Sequence, residues 1–288
     1  MASDWPIVDA GVDWMTCTGN TRSSRARLFA VGMRMLSGEL SAGNEKRVWS
    51  FEGYKGFKSG GVQVGARPES AVLRLTGGVA NEHYREAFSA CDNVSRLDLQ
   101  FTARVDHEPT KVIAGEYRRA LRRTKNHLRG PSVDLWKSSR GSATLYLGSR
   151  ASERCARVYD KGNESSHEAM VGCVRYEIEL KGHAALHWTK VLVAEVYPRP
   201  WIVAQVVQFV ESRGCAPRVN CRQCETIVLH ATATDTARSL EWLRIQVRPT
   251  VARLLKAGLR QEVLDCLTIH PVGLTAPASS RRKLRKAS

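Results

Sequence analysis

The sequence predicts an α+β fold: a mostly antiparallel central sheet with helices on one face, followed by a helical C-terminal part. Three observations carry this. Short runs between residues 9 and 181 alternate apolar with polar side chains, the period of half-buried strands. Two earlier segments and most of the chain after Gly182 repeat their apolar residues at helical spacing. Glycines at 53, 56, 60, 61 and 65 punctuate the early strands as turns or bulges.

In chain order, 9–18 (DAGVDWMTCT) reads as a strand, and 21–40 as a helix with Leu28, Val31, Met35, Leu36 and Leu40 on one face. Strands are expected at 47–53, 57–65 and 70–76, then a short helix at 80–91 and a strand at Val94–Ala103. Residues 111–128 predict an amphipathic helix. Its inner face holds Ile113, Tyr117, Ala120, Leu121 and Leu128, and its outer face Arg118, Arg119, Arg122, Arg123 and Lys125. Gly130-Pro131 ends it. A hairpin over 132–137 and 143–148 follows, then strands at 155–160 and 173–180 separated by a polar loop. Helix is expected from Gly182 to near residue 213, and a further helical pair over 236–257 and 259–267.

Lys and Arg number 44 against 28 Asp and Glu, a formal charge of +16. Such an excess favours a polyanionic partner, because each phosphate neutralised by a cation releases condensed counterions. No basic amphipathic helix with an aromatic face argues for a membrane surface. The first residues lack the charged and apolar regions of a signal peptide, and no apolar run approaches the ~20 residues of a spanning helix. A cytoplasmic protein is therefore expected. The eight cysteines are irregularly spaced, which suits reduced thiols. Cys215, Cys221, Cys224 and His230 contain one close Cys-x-x-Cys pair but no second, so free thiols are expected over zinc.

Alternation splits each strand into a core face and an open face. Leu97, Leu99 and Phe101 point inward, leaving Arg96, Asp98 and Gln100 outward. Tyr176, Ile178 and Leu180 point inward, leaving Arg175, Glu177 and Glu179 outward. The same logic sets Tyr146, Arg157, Tyr159, Lys161 and Asp13 outward, with Val12 and Trp14 inward. Asp98 and Glu177 are accordingly expected to face solvent. Carboxylates on neighbouring strands repel unless they share a cation or basic partners. An oxygen-rich group of this kind suits Mg²⁺ or Mn²⁺.

Four segments in order resemble the trans-acting replication initiation factors of rolling-circle plasmids and filamentous phages: GVDWMTCT (11–18), RLDLQFT (96–102), TLYLGSRASERCARVYDKGNE (144–164) and VRYEIELKG (174–182). The specific part is T-x-Y-x-G-S-R-x-S followed by a strand ending in Y-D-K. The resemblance covers roughly residues 9–215. It implies a metal-dependent, strand-specific endonuclease with strand-transfer activity, nicking DNA at an origin and staying linked to the 5′-phosphate through a tyrosine. Carried over by position, Tyr159 is the nucleophile with Lys161 beside it. Asp98 and Glu177 become metal-site carboxylates, with Glu179 and Asp13 in support. Arg118, Arg119, Arg122, Arg123, Arg157, Arg175 and the tail residues Arg281, Arg282 and Lys283 are the expected DNA contacts. The implied partners are origin DNA, a host helicase and polymerase, and a second copy of the chain. Residues 1–214 would be the nicking domain, 215–275 a helical part and 276–288 a disordered basic tail.

The better-known nicking enzymes hold their metal with a His-hydrophobic-His triplet, which is lacking here. His183 and His187 could form a pair, but carboxylates must dominate any metal site. A P-loop is also lacking, as expected if the phosphotyrosine bond conserves the energy for rejoining. Two other readings compete. A non-catalytic DNA-binding regulator or single-strand binder would explain the charge but not the Y-D-K and R-x-E placements. A relaxase or transposase would share the chemistry but not the role.

Overall fold

The computed structural model describes residues 4–125, 132–138, 141–165, 168–220 and 251. The chain divides into two compact units, Met1–Ile227 and Val228–Ser288. The helical pair expected at 236–267, the basic tail, and Cys221, Cys224 and His230 lie outside the described residues.

The described strands are β1 (Ile7–Gly19), β2 (Arg47–Phe51), β3 (Tyr54–Ser59), β4 (Val62–Arg67), β5 (Ser70–Thr76), β6 (Asn93–Arg104), β7 (Val133–Lys137), β8 (Ala143–Leu147), β9 (Arg154–Asp160) and β10 (Cys173–Lys181). They form one antiparallel sheet in the order β2-β3-β4-β5-β1-β6-β10-β9-β8-β7. The helices are α1 (Arg22–Ser41), α2 (Gly77–Ala90), α3 (Pro109–Lys125), α4 (Lys161–Ser165), α5 (Gly182–Ala194) and α6 (Pro198–Ser212), with a 3₁₀ turn at Glu168–Met170. The α+β class is as the sequence predicts.

Most element boundaries fall within a few residues of expectation. Two single expectations become pairs. The 57–65 strand is two strands folded about Gly60-Gly61, where Gly60 has φ +48°, a left-handed conformation that suits glycine. The helix after Gly182 is broken before Pro198, which sits in the first turn of α6, where its missing N–H costs nothing.

The apolar side chains of β1, β5, β6 and β10 build the core, with Met15, Leu73, Leu97, Leu99, Phe101, Tyr176, Ile178 and Leu180 all buried. Phe101 and Tyr176 stack in register at 4.9 Å between centroids. Gly32 lets α1 approach Val64 and Leu73; a Cβ there would lie 2.6 Å from the Val64 side chain. Glu116 of α3 is fully buried beneath Tyr176, whose hydroxyl donates to its Oε1 at 3.3 Å. The backbone N–H of Ala216 donates to the other oxygen at 2.8 Å. Arg119 closes the cluster at 2.7 Å, so it is tied to Glu116 rather than free on the outer helix face. Arg118, Arg122 and Arg123 are exposed as expected.

Candidate active site on the polar face of the sheet

Register brings the polar side chains of six strands onto one face. Glu177 pairs with Gln100 on one side and Arg157 on the other; Glu179 pairs with Asp98; Arg175 pairs with Thr102 and Tyr159. Beyond β9, Tyr159 pairs with Thr144, and Thr144 with Trp136 on the edge strand. Of the sequence-selected residues on described strands, Asp98, Tyr146, Arg157, Tyr159, Arg175, Glu177 and Glu179 all share this face.

Two expectations about the face are overturned. A β-bulge between Val12 and Trp14 shifts the alternation, so both Asp13 and Trp14 lie on the polar face. The Val12 N–H, displaced from the ladder, donates to Asn81 Oδ1 at 3.1 Å. Trp14 therefore does not point inward; it lies under Arg96, at 4.5 Å from guanidinium to ring. Second, Asp98 and Glu177 do not face solvent: they are 1% and 0% exposed. Alternation identifies a face but not what fills it, and here the long arginines fold down over the carboxylates.

Each carboxylate has a basic partner. Arg96 donates to both oxygens of Asp98, at 2.9 and 2.6 Å, and reaches Glu179 at 3.1 Å. Lys181 holds the other side of Glu179 at 2.7 Å. Arg157 pairs with Glu177 Oε1. Arg175 is clamped by Thr102 at 2.9 Å, Asp13 at 2.8 Å and Asp9 at 3.1 Å. Burial pushes Asp98 up to about 8, and the negative charges of Glu177 and Glu179 add to this against the pull of Arg96. Glu179 is also disfavoured by burial, but the Lys181 bond and Arg96 outweigh it and lower its pKa.

Tyr159 stands at the end of β9 with its hydroxyl donating to Glu177 Oε2 at 3.0 Å. Burial, and next the charge of Glu177, push its phenol well above the ordinary tyrosine range. Asp160 ends the strand by capping α4: its carboxylate accepts from Asn163 N at 3.1 Å and Nδ2 at 2.8 Å. This turn lifts Lys161 off the strand into the first turn of α4, yet its ammonium stays 5.8 Å from the Tyr159 ring. Arg157 lies 5.6 Å from the same ring. The polar loop expected after residue 160 is in part the helix α4. Tyr146 is one strand over, opposite Arg157, and has Arg150 above its ring at 5.5 Å.

Arg157 and Arg175, expected as DNA contacts, are each committed to carboxylates. His183 and His187 are exposed on α5, and Cys215 is a buried free thiol whose pKa burial raises. Sequence reasoning missed Trp136, 58% exposed in the Tyr159 row, which strand pairing alone could have revealed.

Asp98, Glu177 and Glu179 supply only hard oxygen donors. That chemistry fits a divalent cation. Among the described residues, however, no three acidic, histidine or cysteine groups converge closely enough to hold one. Arg96 and Arg157 occupy the carboxylate oxygens.

Residues 93–266 match the family model of the replication initiation factors. Three solved chains are also similar in structure. One is a rolling circle replication initiator protein from Geobacillus stearothermophilus, 17% identical, covering 80% of this chain and 91% of that one with a TM-score of 0.50. At that identity the likeness establishes the shared fold. No curated protein matches the chain.

Proposed function

The chain belongs to the replication initiation factor family, and on that premise we propose that it starts rolling-circle replication by nicking one DNA strand at an origin with Tyr159. The observation that carries this reading is the hydrogen bond from Tyr159 to Glu177, whose second oxygen is held by Arg157. A nucleophile bonded to a base that a third group orients is the arrangement covalent catalysis requires. A phenol of raised pKa attacks poorly unless its proton leaves as the bond to phosphorus forms, and Glu177 is positioned to accept it.

In this mechanism the Tyr159 oxygen attacks the scissile phosphorus and its proton passes to Glu177. The bond from phosphorus to O3′ breaks, and O3′ takes up a proton to become the free 3′-hydroxyl. The 5′-phosphate remains on Tyr159. Attack by a 3′-hydroxyl on that linkage reverses the sequence and rejoins the strand. Lys161, paired with Glu164 at 2.6 Å, and Arg157, paired with Glu177, are the cations that would turn to the phosphate when DNA binds. Mg²⁺ or Mn²⁺, which would supply charge neutralisation at the phosphate, could be held by Asp98, Glu177 and Glu179 only if these drew together and exchanged their Arg96 and Arg157 contacts for it. The 3′-end would prime a host polymerase, a helicase would unwind ahead of it, and a second copy of the chain could share the origin, all in the cytoplasm of a bacterial host.

The burial of Tyr159, 5% exposed, is the observation that favours the rival reading of a non-catalytic DNA-binding regulator. The two separate on supercoiled origin DNA with Mn²⁺, followed by mapping of the 5′ adduct. Tyr159→Phe should abolish both nick and adduct, retain DNA binding and lower stability by about 1–3 kcal/mol, because a buried Glu177 oxygen loses its donor. An adduct that persists there and disappears in Tyr146→Phe would overturn the assignment. Full activity in EDTA would remove the metal from the mechanism.

A further inference from the structure

A second set of residues on the same face lies away from Tyr159. Following the register from β10 to the β2 edge, Lys181 pairs with Arg96, Arg96 with Thr16, Thr16 with Arg74, Arg74 with Gln63, Gln63 with Lys58 and Lys58 with Arg47. Side chains directly opposite one another share a face, so these residues form a row running across seven strands. At ~4.8 Å per strand the row is about 29 Å long. It contains five cations, of which Lys181, Arg96 and Arg47 are paired with Glu179, Asp98 and Glu45 beside the row.

Aromatic rings flank the row. Trp49 and Phe51 stack nearly parallel, 13° apart with centroids at 6.1 Å. The Arg74 guanidinium lies 3.6 Å from the Phe51 centroid and 5.4 Å from that of Trp49. Trp14, beneath Arg96, flanks the other side. All three residues are half-buried. Space for the Trp49 indole is made by Gly65, where a Cβ would come within 2.9 Å of the ring. Among the described residues neither Arg74 nor Lys58 enters an ion pair, and the buried Nε of Arg74 has no hydrogen-bond partner. The row ends at a cleft of ≈ 510 Å³ whose lining includes Asn44, Glu45, Arg47, Lys58 and Gln63, with Glu45 paired to Arg47 at 2.9 Å.

Packing does not account for this arrangement. Half-buried aromatics with arginine stacked on them, beside Arg74 and Lys58, which enter no ion pair among the described residues, form a surface for bases and phosphates together. We propose that the β2–β5 part of the sheet, with Trp14 and Arg96, is a binding track for single-stranded DNA, which crosses the strands with phosphates along the cationic row and bases against Trp49, Phe51 and Trp14. Duplex DNA does not fit the role, because its bases are stacked inside and cannot reach rings set into a sheet. The track lies six residues along β10 from Arg175, the partner of Tyr159, or about 20 Å at ~3.4 Å per residue. It can therefore hold a strand extending from the nucleophile. The proposal shares with the nicking reading only the premise that DNA is the partner, and it needs no covalent step.

The test uses the full chain carrying Tyr159→Phe, so that binding is read without cleavage. Affinities for a labelled oligo(dT), the corresponding oligo(U) and a duplex of equal length are measured by anisotropy at one salt concentration. Trp49→Ala and Arg74→Gln should each weaken oligo(dT) binding roughly tenfold and leave duplex binding within about twofold. Trp49→Phe should recover most of the loss, which separates lost stacking from misfolding. Photocrosslinking with iododeoxyuridine-substituted oligo(dT) should mark Trp14, Trp49 or Phe51. Unchanged affinity in both variants with native circular dichroism, equal losses for duplex, tighter binding of oligo(U), or crosslinks confined to other segments would each overturn the proposal. Adduct formation at saturating origin DNA, measured with Tyr159 intact, should survive Trp49→Ala. The track and the nucleophile can thus fail separately.

Discussion

Glu177 joins a phenol and a guanidinium through its two oxygens, and removing its charge should affect both. Glu177→Gln keeps the shape but leaves Arg157 without a counter-ion in a largely water-excluded position. A loss of about 2 kcal/mol in urea unfolding is expected, below the value for a fully buried broken pair because Arg157 stays partly solvated. Nicking should fall far more than stability, since the acceptor for the Tyr159 proton is gone; equal nicking by the variant would exclude Glu177 as base. Asp98 gives a pH signature. Burial raises its pKa to about 8 from an unfolded value near ~3.9, so between these values the folded state binds a proton that the unfolded state does not. Its contribution is fully present below the unfolded value and is lost as pH rises through the folded one. The urea midpoint should therefore decline from pH 4 towards 8, and Asp98→Asn should flatten that decline.

At the scale of elements, the strands and long helices were legible because each repeats its own period over enough residues. What was not legible came from single positions that break a period. The bulge at Val12–Trp14 depends on Asn81, some seventy residues away, and no local pattern announces it. The Asp160 cap was present in the Y-D-K-G-N string as an aspartate three residues before Asn163, but the family motif drew attention to the tyrosine instead. The occupancy of the polar face was hidden for a different reason. Period-2 alternation places Arg157 and Glu177 on one side, yet only the register makes them partners. Helix packing offers a test. Gly32→Val would force a side chain into Val64 and Leu73, with an expected cost of about 1–3 kcal/mol in thermal or urea unfolding. On α3, replacing the exposed Arg118, Arg122 and Arg123 with Gln should lower the salt slope of DNA binding by about 0.9 for each phosphate that is no longer neutralised. Arg119→Gln should lower stability instead, because Glu116 would lose its counter-charge.

At the scale of the whole molecule, a charge of +16 makes DNA association strongly dependent on ionic strength. Deleting 281–286 should weaken binding to all sequences alike and reduce the salt slope; an unchanged slope would mean the tail neutralises no phosphates. The position of β1 has another consequence, one concerning time. The first strand of the chain lies in the middle of the sheet, hydrogen-bonded to β5 on one side and β6 on the other. A growing polypeptide therefore exposes Val12, Met15 and Cys17 before either neighbour has been synthesised, and β1 is closed on both sides only once residue 104 is available. Until then the nascent chain carries an unsatisfied β-edge that invites pairing with other copies. Fragments ending before Asn93 should aggregate or remain protease-sensitive, whereas those reaching Asn220 should resist digestion. Production of this protein should accordingly depend on how fast translation carries the chain from its first strand to its sixth.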